Sequence, residues 1–73
     1  MANKINHVLK RKRERALMSQ TDVSIILGIT LANYNEKERG KRDFTQSQMR
    51  ILAKEFNCTL DELFGEEKDN AKI

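Results

Sequence analysis

The strongest constraint on the fold is a helix-start signal that recurs within residues 19–62. A Ser or Thr is followed three positions later by an acidic or amide residue at Ser19/Asp22, Thr30/Asn33, Thr45/Gln48 and Thr59/Glu62. In a capping box the hydroxyl accepts a hydrogen bond from an early backbone N–H, and the later side chain reaches back to the cap. Since the chain contains no proline and no strand-like alternation of apolar and polar residues, the sequence predicts an all-α protein.

The predicted helices span residues 4–16, 20–27, 31–38, 46–56 and 60–64. The first carries Leu9 and Leu17 among its apolar residues. The second ends at Gly28, since glycine readily adopts the left-handed conformation that follows the last turn of many helices. In the fourth, apolar residues recur at close to i, i+3, i+4, i+7 spacing. These patterns predict a compact five-helix bundle over residues 1–65 and a flexible charged tail at 66–73.

The chain has few means of stabilising a small core other than helix packing. Its 73 residues suffice for one domain, and a domain of this size buries only about 60% of its unfolded surface. A single cysteine, Cys58, and a single histidine, His7, exclude an intrachain disulfide and a Cys/His metal cluster, so we expect no cofactor. With no apolar run of roughly 18 residues and no secretory signal, we expect a cytoplasmic protein without a membrane partner.

Charge is distributed unevenly along the chain. Residues 1–57 carry 12 Lys and Arg against 6 Asp and Glu, a net charge of +6. Residues 58–73 carry 2 Lys against 5 Asp and Glu, a net charge of −3. A basic body on a small protein favours a nucleic-acid partner, but many basic surfaces are merely solvated. The charge asymmetry by itself leaves both interpretations open.

Residues 19–40 are the most informative about function. Two short predicted helices are joined by the turn Leu27-Gly28-Ile29-Thr30, in which glycine supplies a positive φ. Such a turn sets the second helix at a steep angle to the first, so that the second helix can project from the surface and enter the major groove of DNA. Short helices joined by glycine turns also occur in helical bundles that do not bind DNA.

Several residues recur at a characteristic spacing across this segment. They are Ser19-Gln20, Gly28-Ile29-Thr30, Tyr34, Glu38, Gly40-Lys41 and the ending CTLDELFG at 58–65. This pattern resembles the Cro/repressor (XRE) family of helix-turn-helix regulators over roughly residues 5–65. The spacing from Tyr34 to Phe44 is also similar to that of small regulators from prophages and mobile elements of Gram-positive bacteria. The resemblance implies a five-helix DNA-binding domain of the lambda-repressor type.

The resemblance implies that the helix over 31–38 is the recognition helix. It places five residues nearest the bases: Thr30, Leu31, Ala32, Asn33 and Glu36. Asn33 can make a bidentate contact with adenine, and Glu36 can accept a hydrogen bond from a cytosine amino group. Leu31 and Ala32 can contact only thymine methyl groups, so we expect DNA shape and phosphate contacts to carry much of the binding.

Phosphate contacts and an internal ion pair are implied as well. Gln20 would lie against the phosphate backbone, where its side chain and the helix amides can donate. The expected phosphate contacts beyond the recognition helix come from Arg39, Lys41 and Arg42. Arg13 and Glu38 occupy the positions that form an ion pair bracing the first helix against the third in this family. The alternative is that Arg13 and Glu38 are two surface charges whose interaction contributes under about 1 kcal/mol to the stability of the fold.

The function implied is that of a sequence-specific transcriptional regulator. A repressor or Cro-like switch protein would bind a two-fold symmetric operator in double-stranded DNA as a homodimer. Dimerisation would use the fifth helix, the loop before it or the tail, with Phe64 and Ile73 as candidates. The alternative is a protein-interaction module of the antitoxin or anti-repressor type, which the apolar residues Leu31 and Ala32 favour.

An enzyme is not expected, and neither is a small-molecule substrate. The sequence offers no nucleophile paired with a histidine, no paired carboxylates in an apolar setting and no phosphate-binding glycine loop. The chemistry-bearing residues of the helix-turn-helix segment are hydrogen-bonding and basic side chains, which suit binding rather than bond breaking.

Overall fold

The computed structural model describes residues 5–65, which fold into five α-helices. They are α1 (His7–Arg15), α2 (Gln20–Leu27), α3 (Leu31–Glu38), α4 (Gln46–Glu55) and α5 (Leu60–Phe64). Within residues 5–65 there is no β-strand, and the prediction of an all-α fold with five helices is confirmed. The tail predicted at 66–73 lies outside the described residues.

The first helix is shorter than the sequence predicts at both ends. It begins at His7 because Asn6 is its N-cap, with the Asn6 Oδ1 atom accepting a hydrogen bond from the Leu9 amide at 3.0 Å. The sequence predicts Leu17 on the apolar face of this helix, but Leu17 is 91% exposed. Its φ of 60° turns the chain out of the helix two residues after Arg15, in a region that L-residues other than Asn and Asp rarely adopt.

The other four helices begin at the predicted hydroxyl caps. The side-chain oxygen of each cap accepts a hydrogen bond from the backbone amide three residues later, at Ser19, Thr30, Thr45 and Thr59. The reciprocal bond is present at Ser19, Thr45 and Thr59. At Thr30 only the first half forms, because the partner side chain does not reach back. Each such cap contributes about 0.5–2 kcal/mol, so the caps fix where α2, α3, α4 and α5 start.

The core contains one fully buried apolar side chain from every helix. These residues are Leu9, Val23, Tyr34, Leu52 and Leu63. The Phe44 ring lies in the loop between α3 and α4, with its centroid 6.1 Å from that of Tyr34 and 5.5 Å from that of Phe64. Because every helix contributes to the same cluster, the orientation of α3 depends on packing from the whole domain.

The turn between α2 and α3 is closed by a glycine in the left-handed conformation. Gly28 has a φ of 72° and a ψ of 32°, and its amide donates to the Ile25 carbonyl. A side chain at this φ would strain the backbone, so glycine allows α2 and α3 to be joined by only three residues, 28–30. No helix within residues 5–65 has the length and apolar character needed to cross a membrane.

Candidate nucleic-acid interface

The N-terminal end of α3 presents its side chains to solvent. Thr30, Leu31 and Ala32 are all exposed, and Leu31 retains 46% of its accessible surface although it is a large apolar residue. The opposite face of α3 carries Tyr34 and Glu38, which are buried. Within residues 5–65, the helix therefore packs on α2 and the core with one face and exposes the other.

Asn33 lies at the edge of this exposed face. Its backbone amide donates to the Thr30 Oγ1 atom at 3.1 Å, which satisfies one amide of the first turn. Its side-chain Oδ1 atom is buried and has no hydrogen-bond partner among the described residues. An unpaired polar atom is costly to bury, so this oxygen is an acceptor that a hydrogen-bond donor from a binding partner could satisfy.

The loop after α3 carries three exposed basic residues. They are Arg39, Lys41 and Arg42. Gly40 has a φ of 85°, and the amides of Lys41 and Arg42 both donate to the Glu36 carbonyl, at 2.8 and 3.3 Å. The loop is thus folded back against the C-terminal turn of α3, and its cations lie at the end of the same helix that exposes Leu31 and Ala32.

Glu36 and Arg42, which the sequence assigns to bases and to phosphate, are paired with each other. The Arg42 Nε atom donates to the Glu36 Oε1 atom at 2.5 Å. The Glu36 side chain keeps 42% of its accessible surface and the Arg42 side chain 61%. An exposed pair of this kind is worth little to stability, but it fixes where one negative and one positive charge lie on the surface.

Arg13 and Glu38 lie together in the interior between α1 and α3. The Arg13 Nε atom donates to Glu38 Oε2 at 2.9 Å, and Arg13 Nη2 donates to Glu38 Oε1 at 3.2 Å. Arg13 Nη1 donates to the Met18 carbonyl at 3.0 Å. Arg13 is 8% exposed and Glu38 only 2%. The bidentate geometry satisfies both charges and joins α1, the following loop and α3.

Three further side chains complete this buried network, and the sequence did not indicate their part in it. The Tyr34 hydroxyl donates to Glu38 Oε2 at 2.9 Å, and Gln20 Nε2 donates to Glu38 Oε1 at 2.7 Å. Asn35 Nδ2 in turn donates to Gln20 Oε1 at 3.1 Å. The i, i+4 spacing of Tyr34 and Glu38 on one helix face was the available signal. The Gln20 side chain, expected at phosphate, thus ties the start of α2 to α3.

The network sets the protonation of its members. Burial pushes the pKa of Glu38 upward, but hydrogen bonds from Arg13, Gln20 and Tyr34 outweigh burial and hold the pKa below its ordinary value of 4.5. The hydrogen bond to Glu38 raises the pKa of Arg13. Burial and the adjacent carboxylate both raise the pKa of Tyr34. At neutral pH the carboxylate is therefore ionised, the guanidinium charged and the phenol protonated.

We expect acid to remove the stabilisation that Glu38 provides. A carboxyl whose pKa is lower in the folded than in the unfolded protein contributes stability above its unfolded pKa of 4.5 and loses it as the pH falls through the folded value. Urea unfolding of wild type and of Glu38→Gln, followed by circular dichroism, should give a difference in unfolding free energy that is constant near neutral pH. The difference should shrink below about pH 4.5. A difference that persists undiminished into stronger acid would contradict the assignment.

These features define a class of protein. A short helix projects its N-terminal half from the surface, follows a tight glycine turn, and is succeeded by a basic loop, which is the arrangement of a DNA-binding helix-turn-helix. A helix-turn-helix family model (HTH_3) matches residues 9–63. The chain belongs to this family and is a DNA-binding regulator of transcription, so the predicted Cro/repressor type is confirmed. Family membership points to a DNA-binding protein and not to an enzyme.

The fold is also similar to a solved structure. The restriction-modification controller protein C.AhdI from Aeromonas hydrophila superposes with a TM-score of 0.70 at 24% sequence identity, over 81% of this chain and 89% of that protein. At this identity the likeness establishes the fold alone. A comparison with curated protein sequences gave no significant match. The narrower resemblance to regulators from Gram-positive prophages and mobile elements stays a prediction.

Proposed function

We propose that this chain is a sequence-specific transcriptional regulator, either a repressor or a Cro-like switch protein, that inserts α3 into the major groove of its operator. The observation that carries the proposal is the exposed start of α3, from Thr30 to Ala32, held against α1 and α2 by the buried Arg13–Glu38 network. A recognition helix must keep its orientation while it contacts bases, and fully satisfied buried networks provide such rigidity.

Base contacts are assigned to the exposed face of α3. Asn33 reads adenine, and Glu36 accepts from a cytosine amino group. Leu31, which is 46% exposed, packs against thymine methyl groups together with Ala32, and Thr30 lies beside them at the start of the helix. This assignment gives the protein two polar base contacts in each half-site, so the operator preference is set by few positions.

Phosphate contacts are assigned to the basic loop and to the start of α2. Arg39, Lys41 and Arg42 are exposed at the end of α3, where they can reach the DNA backbone while α3 lies in the groove. Since the Gln20 side chain donates to Glu38, the contact proposed for Gln20 is assigned to the backbone amides of the first turn of α2, which have no partner within the helix.

Binding as a homodimer is proposed through the surface of α4 and α5. Ile51 on α4 is 40% exposed and Leu60 on α5 is 39% exposed. Of the two residues suggested by the sequence, Phe64 packs against Phe44 inside the domain, and Ile73 lies outside the described residues. A symmetric dimer would place two α3 helices in successive major grooves, about 10 base pairs apart. A regulator of this kind would act in the cytoplasm.

A random-site selection on duplex DNA, followed by salt titration of the enriched site, tests the proposal. We expect an inverted repeat with half-sites about 10 base pairs apart. Each phosphate contact contributes about −0.9 to the slope of log affinity against log salt, so two or three contacts per protomer predict a slope of about −4 to −5 for a dimer. Affinity should therefore fall by about 10²- to 10³-fold between about 50 and 200 mM salt.

The outcomes of this selection discriminate among the possible functions of the chain. Enrichment of a single half-site without symmetry would contradict binding as a dimer but support sequence-specific DNA binding. No enrichment, together with an affinity that does not respond to salt, would remove sequence-specific DNA binding. The alternative of a protein-interaction module would then become the better interpretation, with exposed Leu31 as part of its surface.

A further inference from the structure

Glu36 is an acidic residue in a proposed DNA surface whose other members are neutral or basic. Its carboxylate is paired with a cation of the protein, because the Arg42 Nε atom donates to Glu36 Oε1 at 2.5 Å. The backbone holds the two residues together, since the amides of Lys41 and Arg42 both donate to the Glu36 carbonyl. Glu36 therefore contacts the basic loop in two ways. Its backbone carbonyl accepts the hydrogen bonds that hold the loop against α3, and its carboxylate binds one of the loop cations, Arg42.

This pairing alters what the surface offers to DNA. A carboxylate brought close to phosphates is repelled unless a cation neutralises it, and Arg42 supplies that cation from within the protein. While the pair is intact, it enters the interface as a neutral unit, and Arg42 contributes little to the attraction for phosphate. Arg39 and Lys41, which are exposed on the same loop, carry the sequence-independent attraction instead.

We propose that Glu36 is a specificity-determining residue that withholds Arg42 from the phosphate backbone on non-cognate DNA. On a cognate site a cytosine amino group donates to the Glu36 carboxylate and replaces the guanidinium, which then moves to a neighbouring phosphate. One base contact thereby becomes linked to one phosphate contact. The inference rests on the proposed function, in that it needs α3 to lie in the major groove.

The linkage raises selectivity by weakening the complexes with non-cognate DNA as well as strengthening the complex with the cognate site. A surface with Arg42 permanently free would bind every duplex more tightly, since phosphate contacts do not depend on sequence. The Glu36 carboxylate opposes this general attraction, and only the matching base relieves the opposition. Specificity here is a difference of two affinities, and Glu36 acts on both.

The test compares Glu36→Gln, Arg42→Ala and the double variant, each titrated against the selected operator and against an unrelated duplex. Asp43→Asn is the matched control, because Asp43 is an exposed acidic residue of the same loop and its replacement changes the net charge by the same amount. We expect Glu36→Gln to raise affinity for the unrelated duplex by about three- to tenfold and to lower the ratio of operator to unrelated affinity by about tenfold or more.

The Arg42 variants test the linkage itself. Arg42→Ala alone should weaken operator binding, because one phosphate contact is lost. It should also weaken binding to the unrelated duplex, because the Glu36 carboxylate is left without its neutralising cation. In the Glu36→Gln background, Arg42→Ala should reverse the gain on the unrelated duplex. Equal effects of Glu36→Gln and Asp43→Asn on the unrelated duplex, or an unchanged affinity ratio, would overturn the proposal while leaving DNA binding intact. Wild-type protein that binds no duplex would instead overturn the proposed function and this inference with it.

Discussion

Replacement of Glu38 by alanine is expected to lower the free energy of unfolding by about 3–5 kcal/mol, which is the cost of removing one partner of a buried ion pair. Glu38 is 2% exposed and accepts hydrogen bonds from Arg13, Gln20 and Tyr34. Without the carboxylate, the Arg13 guanidinium would remain buried without its counter-charge, and the donors of Gln20 and Tyr34 would lose their acceptor.

The measurement is thermal and urea unfolding of the purified variant beside wild type. In a domain of this size, 1 kcal/mol corresponds to about 4–8 °C in melting temperature, so we expect the midpoint to fall by more than about 12 °C. Glu36→Ala is the matched control, since it removes the same residue type from the same helix but from an exposed pair with Arg42. It should cost at most about 1 kcal/mol.

A loss of stability that is equal in the two variants would mean that the interior network does not brace the helix-turn-helix. The comparison is informative because Glu36 and Glu38 differ in environment and hardly at all in position along α3. The expected contrast follows from solvent: water screens the Glu36–Arg42 pair and would rehydrate Arg42 after the substitution, whereas little water reaches Arg13, which is 8% exposed.

Local sequence signals predicted the helical architecture because helix caps are local interactions. Each of the four hydroxyl caps interacts with an amide only three residues away, so the pattern and the contact lie in one short segment. The ends of α1 were harder to predict. Its N-cap is Asn6, which has no acidic or amide residue three positions later, and its C-terminal turn uses Leu17 at positive φ, where glycine would have been the recognisable signal.

The candidate site was predictable in position but not in its pairing. The turn at Gly28 and the exposed start of α3 follow from residues 19–40 alone. The partners of individual polar side chains do not, since Glu36 pairs with Arg42 six residues away around the loop, a spacing that no helix face provides. Gln20 likewise meets Glu38 only because α2 and α3 pack together. The hydrogen-bond partners of these polar side chains depend on tertiary geometry, which the spacing of residues in the sequence does not encode.

The second large effect is expected in DNA recognition, where Asn33→Ala and Lys41→Ala should behave differently. Removal of the Asn33 amide should abolish about 1–3 kcal/mol of discrimination at one base pair of each half-site, or about 5- to 150-fold. The Thr30 cap should survive, because it uses the backbone amide of Asn33 and not the side chain. The side-chain Oδ1 atom has no partner among the described residues, so its removal should cost the fold little.

Lys41→Ala should weaken binding to all sequences alike, because it removes one phosphate contact from each protomer. The salt slope should fall by about 1 per protomer, or about 2 for a dimer. Competition titrations with single-base variants of the selected operator, at several salt concentrations, separate the two behaviours. If both variants weaken binding uniformly, Asn33 does not read a base, and selectivity must come from DNA shape. If both relax the base preference, Lys41 lies in the groove and not at the backbone. The expected difference between the variants follows from the contacts proposed for them, Asn33 with a base edge and Lys41 with the phosphate backbone.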